Sequence, residues 1–229
     1  MSRLAESSDP SQVRSFVNAL EETSDVRRVV DEKINLDQLA IHYDELSSQK
    51  LRQQFIDYVE DDKLGPSWID VVSNERINTD AVETAIRRAD RLPEGDDINK
   101  FRTARDVNAE YKKSIEDPYA SNSIVIEYET NSQQVFSRVH GEDNQARAWM
   151  FRDESQITGL AKSEIKNLFS LPEEPLYVSE VHVSKGTEIR TGTVAANFGG
   201  RRGATQFELL EKLPAGKFKN KRPLPIEDD

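Results

Sequence analysis

Apolar positions recur three and four residues apart through the first half of the chain, and every second residue through much of the second half. Val13, Phe16, Val17 and Leu20 form one helical stripe, and Asp9-Pro10 ahead of them is a start signal, a capping carboxylate with proline in the first turn. A second stripe, Leu36, Leu39, Tyr43 and Leu46, follows a capping Asn35, and a third, Leu51, Phe55, Tyr58 and Val59, ends in Glu60-Asp61-Asp62. Gly65-Pro66 breaks the chain, and Ser67 is placed to cap a short turn carrying Trp68, Val71 and Val72. Asn78 precedes a helix with Val82, Ala85, Ile86 and Ala89, which Leu92-Pro93-Glu94-Gly95 stops. The spacing of Ile98, Phe101, Arg105, Val107 and Tyr111 predicts a last helix before Asp117-Pro118.

The period then changes. Residues 123–129, 135–140 and 148–151 read as strands rich in β-branched and aromatic side chains, and 163–169 as one helix closed by Leu171-Pro172. Tyr177 to Val183 alternates strictly, Lys185-Gly186 turns it into Glu188-Ile189-Arg190, and Thr205 to Leu210 and Lys217 to Lys219 follow. The tail from Arg222 is expected to be extended or without order. The predicted fold is α+β: a helical region over 1–117, serving as carrier, docking region or cap, then an antiparallel β domain with few helices over 118–229.

Charge supports that division. Residues 1–119 hold 26 acids and 17 bases, net −9, whereas 120–229 hold 16 acids and 14 bases, net −2. The total of −11 argues against a nucleic-acid binder that works by neutralising phosphates. The absence of cysteine removes disulfides, thiolate nucleophiles and cysteine metal sites, and three scattered histidines make a histidine metal centre improbable. No apolar run approaches the roughly 20 residues of a membrane span, and Met1 to Asp9 lacks an apolar signal core.

Candidate chemistry gathers late in the chain. Phe198 to Leu210 combines three glycines, Arg201, Arg202, Thr205, Gln206 and Glu208. Glycine lets backbone approach a ligand, arginine matches phosphate with forked donors, and Gln206 and Glu208, two apart on a strand, share a face. A plain loop before an edge strand is the alternative. Arg138 lies within an alternating strand beside Phe136, where a cation needs an anion, either a ligand phosphate or one of the chain's own carboxylates. Trp149, Phe151 and Phe198 are candidates to stack on a planar ring, with core packing as the other reading. His140, before Gly141, is a ligand contact or, more simply, exposed; His182 is expected to point outward opposite its flanking valines.

Several of these segments resemble the C-terminal toxin domains of polymorphic toxins of the contact-dependent inhibition and Rhs type. They are Phe136-Ser137-Arg138-Val139, Ala148-Trp149-Met150, Ile165 to Pro172, Val181 to Thr187 and Ala204-Thr205-Gln206-Phe207-Glu208-Leu209. The last is similar to the glycine-rich glutamine motif of the tuberculosis necrotizing toxin family of NAD glycohydrolases and to the Gln-x-Glu strand of ADP-ribosyltransferases. That resemblance implies a split antiparallel core with NAD as substrate and no other cofactor. Arg138, with Arg201, would hold the phosphates, Gln206 and Glu208 would act at the ribose, and His140, Trp149, Phe151, Phe198 and Thr205 would line the site. It further implies a cognate immunity protein, and delivery by a secretion system into a target-cell cytoplasm. This chain departs from the family in Arg201-Arg202, which interrupt the glycines, and in lacking a Ser-Thr-Ser strand. ADP-ribosyl transfer to protein or nucleic acid, a ribonuclease and a non-enzymatic helical interaction module remain open alternatives.

Overall fold

The computed structural model describes residues 10–21, 35–111, 116–200 and 203–225. Seven α-helices and eight strands are present among them: α1 (Pro10–Glu21), α2 (Leu36–Glu45), α3 (Gln49–Glu60), α4 (Gly65–Val72), α5 (Thr79–Ala89), β1 (Asp97–Thr103), α6 (Ala104–Asn108), β2 (Ile124–Glu129), β3 (Gln134–His140), β4 (Trp149–Met150), α7 (Lys162–Leu168), β5 (Tyr177–Val183), β6 (Glu188–Thr193), β7 (Thr205–Leu209) and β8 (Phe218–Pro223). The fold is α+β, as the change of period predicts. The expected caps are in place: Asn35 Oδ1 accepts from the Gln38 amide and Asn78 Oδ1 from that of Ala81. α4 begins at Gly65, two residues ahead of the expected Ser67 cap, whose hydroxyl instead donates to the Leu64 carbonyl.

The largest difference lies at residues 97–103. They form β1 rather than the start of a helix, and β1 pairs antiparallel with β2. Only Ala104–Asn108 is helical beyond it. The larger sheet, in order β1-β2-β6-β7-β4, thus takes an edge strand from the helical side of the expected boundary at 117/118. The smaller sheet is β3-β5-β8, and β8 continues the expected Lys217–Lys219 strand into Arg222 and Pro223 of the tail, which was expected to be extended or without order. Both sheets are antiparallel throughout.

Helices α1–α5 bury their stripes against each other and against the outer half of one sheet face. Phe16, Phe55 and Trp68 are fully buried, and their core continues onto Phe101 of β1 and Ile124 and Ile126 of β2. Phe55, Trp68 and Phe101 form a ring ladder with centroids 5.6 and 4.7 Å apart, each such contact adding about 0.5–1.5 kcal/mol beyond burial. The inner half of that face packs on the small sheet through Tyr128, Phe136, Val181, Phe207 and Leu209. The opposite face carries Val125, Gln206 and Glu208, beside a charged layer in which Glu127 bonds Arg190, Arg102 and Lys100 at 2.7, 3.1 and 3.0 Å. Among the described residues no helix is long and apolar enough to cross a membrane.

Three consecutive residues join the sheets. Trp149 and Met150 pair with Glu208 and Phe207 of β7, and Phe151 pairs across the gap with Ser137 of β3 through two 2.7 Å bonds.

His42, fully buried in α2, gives the helical part a pH dependence. Thr79 donates to Glu45, so His42 Nδ1–H donates to Thr79 Oγ1 and Nε2 accepts from Gln38. Burial pushes the ring down to about 4, despite nearby Glu45. The unfolded ring protonates near 6.5, so between those values the unfolded state binds more protons and stability falls as pH falls, by about 3 kcal/mol at most. The urea midpoint followed by Trp fluorescence should decline more steeply from pH 7 to 4.5 in the wild type than in His42→Gln. Equal slopes would refute the assignment.

Candidate functional site

A cleft of about 300 Å³ opens where the sheets part. It brings together six of the residues singled out in the sequence: Arg138, His140, Trp149, Phe151, Phe198 and Gln206. They come from β3, β4 and the residue after it, the loop before β7, and β7 itself. The 169–175 segment supplies much of the remaining wall.

Arg138 is buried at 7 % exposure. Its guanidinium donates to the backbone carbonyls of Trp149 and, at 3.1 Å, of Asn144, while Nε has no partner among the described residues. No described carboxylate pairs with it, so the ion pair weighed as an alternative is not formed. Burial, with Arg147 nearby, pushes this guanidinium down to about 10, which leaves it charged at neutral pH. A buried cation held only by neutral carbonyls is costly until an anion meets it.

His140 is 3 % exposed, contrary to the expectation that it is exposed, because Leu176 bonds its carbonyl and Tyr177 packs on its ring at 5.8 Å. Burial also lowers its pKa and so favours the neutral ring. Nδ1–H then donates to the Gly141 carbonyl at 2.6 Å and Nε2 accepts from Ser179 Oγ at 2.8 Å. Both nitrogens are used, which makes His140 a wall residue. His182 is half-buried, with Nε2 2.9 Å from Glu180.

Gln206 Nε2 donates one N–H to the Pro118 carbonyl at 2.9 Å, and Oε1 has no hydrogen bond among the described residues. Glu208 shares its strand face but does not line the cleft. Its Oε2 accepts from Tyr111 at 2.5 Å and Tyr119 at 3.1 Å, and both rings pack against Trp149, at 6.2 and 5.7 Å. Burial pushes the Glu208 carboxyl above the usual range, against the pull of the two phenols and Arg190. Glu208 therefore stands behind the Trp149 wall and braces it. Thr205 pairs with Thr193 and is likewise off the cleft; Arg201 and Arg202 lie outside the described residues.

Two non-glycine cleft residues have left-handed backbone, Ser170 (φ 49°) and Phe198 (φ 51°). Such strain persists only where the surroundings over-determine it. Here Ser170 Oγ–H donates to Ala195 at 2.6 Å, and a Cβ on Gly200 would lie 2.6 Å from Ser170 Oγ and 2.8 Å from the Asn167 carbonyl. Only glycine lets the Phe198 loop dock this closely on the end of α7. Phe198 itself is half-exposed at the cleft. The sequence reading missed Asn144, whose Oδ1 accepts from the Gly141 amide in the turn after β3, and also Ser170 and the acidic lip of Glu116, Glu173 and Glu174, which nothing local links to β3. Among the described residues no group of three His, Asp or Glu side chains could hold a metal ion.

A buried cation, aromatic walls and one amide suit a ligand with a planar ring and an anionic group. No protein-family model matches the chain, and neither the curated proteins nor the solved structures give a significant match.

Proposed function

We propose that the chain is an NAD-consuming enzyme of the toxin class that hydrolyses the nicotinamide–ribose bond. The observation that carries this reading is Arg138, buried, charged and without a carboxylate, in one cleft with Trp149, Phe151, Phe198 and Gln206. Arg138 holds the diphosphate, matching its oxygens as a forked donor. Trp149 or Phe151 stacks on nicotinamide. Gln206 Oε1 turns the negative end of its dipole to the ribose as the bond breaks, stabilising positive charge that develops in the transition state. The C1′–N bond breaks with its electrons leaving on nicotinamide; water adds to C1′ and releases a proton, giving ADP-ribose.

Glu208 acts by position, through the two tyrosines that hold the Trp149 wall. A cognate immunity protein and delivery to a target-cell cytoplasm belong to the same reading.

The test is turnover of a fluorescent etheno analogue of NAD by the purified chain, with the products separated. Free etheno-ADP-ribose and nicotinamide in equal amounts support hydrolysis. Nicotinamide release with ADP-ribose retained on macromolecules would point to transfer, and absence of turnover would refute the proposal.

A further inference from the structure

A second cavity, of about 230 Å³, lies between α5 and the ends of β2 and β6, and shares no lining residue with the cleft. Its central side chain is Arg88, 7 % exposed and, like Arg138, without a described carboxylate partner. The guanidinium donates to the Ile124 carbonyl at 3.0 Å and Thr193 Oγ1 at 2.7 Å, and Nε has no partner among the described residues. Burial pushes this group down to about 10, so it too stays charged at neutral pH.

Independent of Arg88, Ser123 lines the same cavity at 8 % exposure, and its hydroxyl is buried with no partner among the described residues. Its backbone is fixed on both sides, by Ser123 N–H to Ala120 and Ala104 N–H to Ser123. The unused hydroxyl is therefore held in place. A buried hydroxyl without a bond is unfavourable, and a ligand oxygen that reached it would offset that cost.

The third component is the start of α5. Asn78, Asp80 and Ala81 line the cavity, and Asn78 caps the Ala81 amide. The first amides of a helix have no partner within it and present partial positive charge. Guanidinium and first-turn amide from α5 and a hydroxyl from the turn before β2 thus line one cavity, more donors than a two-oxygen carboxylate can use. Asp80, exposed on the same turn, is the one acidic side chain among the lining residues. It opposes any charge beyond the first group, which disfavours polyphosphate and nucleic acid.

We propose that this cavity binds a single phosphate group, either free phosphate or the phosphomonoester of a small metabolite. It is a site separate from the cleft and does not depend on the NAD reading.

Titration of the labelled full chain with inorganic phosphate, followed by amide NMR, should shift Thr79, Asp80, Ala81 and Ser123 saturably. Arg88→Gln should weaken that response about tenfold or more, and Arg138→Met should leave it intact. Should Arg88→Gln fail to fold, Ser123→Ala serves instead: it removes a hydroxyl with no internal partner, and should fold normally yet bind phosphate more weakly. Adenosine monophosphate binding more tightly than phosphate would make the ligand a phosphomonoester; equal or weaker binding would make it the free ion. Pyrophosphate should bind less well than phosphate. Unmoved amides at these four positions, or a response unchanged by both Arg88→Gln and Ser123→Ala, would overturn the proposal.

Discussion

Arg138→Met is expected to weaken NAD binding about ten- to a hundredfold, because a hydrogen bond to a charged group is worth about 1.5–3 kcal/mol. Methionine keeps the length and apolar stem of arginine, so the change isolates the guanidinium. The stability of the free protein should move little. The groups left behind are the carbonyls of Trp149 and Asn144, which are neutral, and their loss is offset by relief of a buried cation that has no acid beside it among the described residues. Calorimetric titration with NAD and a thermal melt without it separate the two effects. Normal affinity together with a melting point lowered by more than about 10 °C, roughly the 3–5 kcal/mol of a broken buried pair, would make Arg138 a structural residue.

The second large effect concerns the halves of the chain. Residues 118–229 alone should fail to form the native sheet, and the full chain should unfold in one transition. Without the first half β2 loses its partner β1, and Ile124 and Ile126 lose the helices that cover them. Fully burying side chains of this size is worth about 1.5–3 kcal/mol each, a large share of a typical stability of about 5–15 kcal/mol. Trp68 reports on the helical core and Trp149 on the cleft wall. Single-tryptophan variants retaining one or the other should therefore melt at the same temperature as the far-ultraviolet dichroism. Two separated transitions, or a fragment 118–229 with the native strand signals, would contradict this coupling.

The sequence misread residues 97–103, for an identifiable reason. Ile98 and Phe101 are three apart, and Arg105 follows at helical spacing, so the segment matches a helix template. The true strand hides its alternation behind a register shift between Ile98 and Lys100, where one extra residue breaks the period of two. β3 and β7, which pair without such an irregularity, were legible almost to the residue, and so was β5, whose shift between Val178 and Glu180 in its pairing with β8 leaves its own alternation intact. In the site, Arg138 and Gln206 were legible because one breaks the local pattern of a strand and the other stands beside a glycine-rich loop, and Trp149 because its large ring is a candidate to stack. Glu208 matched the same pattern and lies elsewhere, since the two tyrosines that withdraw it from the cleft are 97 and 89 residues away. No local pattern encodes a partner at that distance. His140 was misjudged because its strand is covered on both faces, which depends on how the sheets meet.

The bridge formed by Trp149, Met150 and Phe151 has a consequence for how the cleft could change its preference. One residue bonds to the small sheet directly after two bonded to the large one, so the sheets cannot slide past each other without breaking the Ser137–Phe151 pair. The mouth is then of fixed gauge. On the proposed reading, discrimination between ligands comes from the side chains that project into it, and single substitutions at Trp149 or Phe198 retune what it admits while the framework stays as it is.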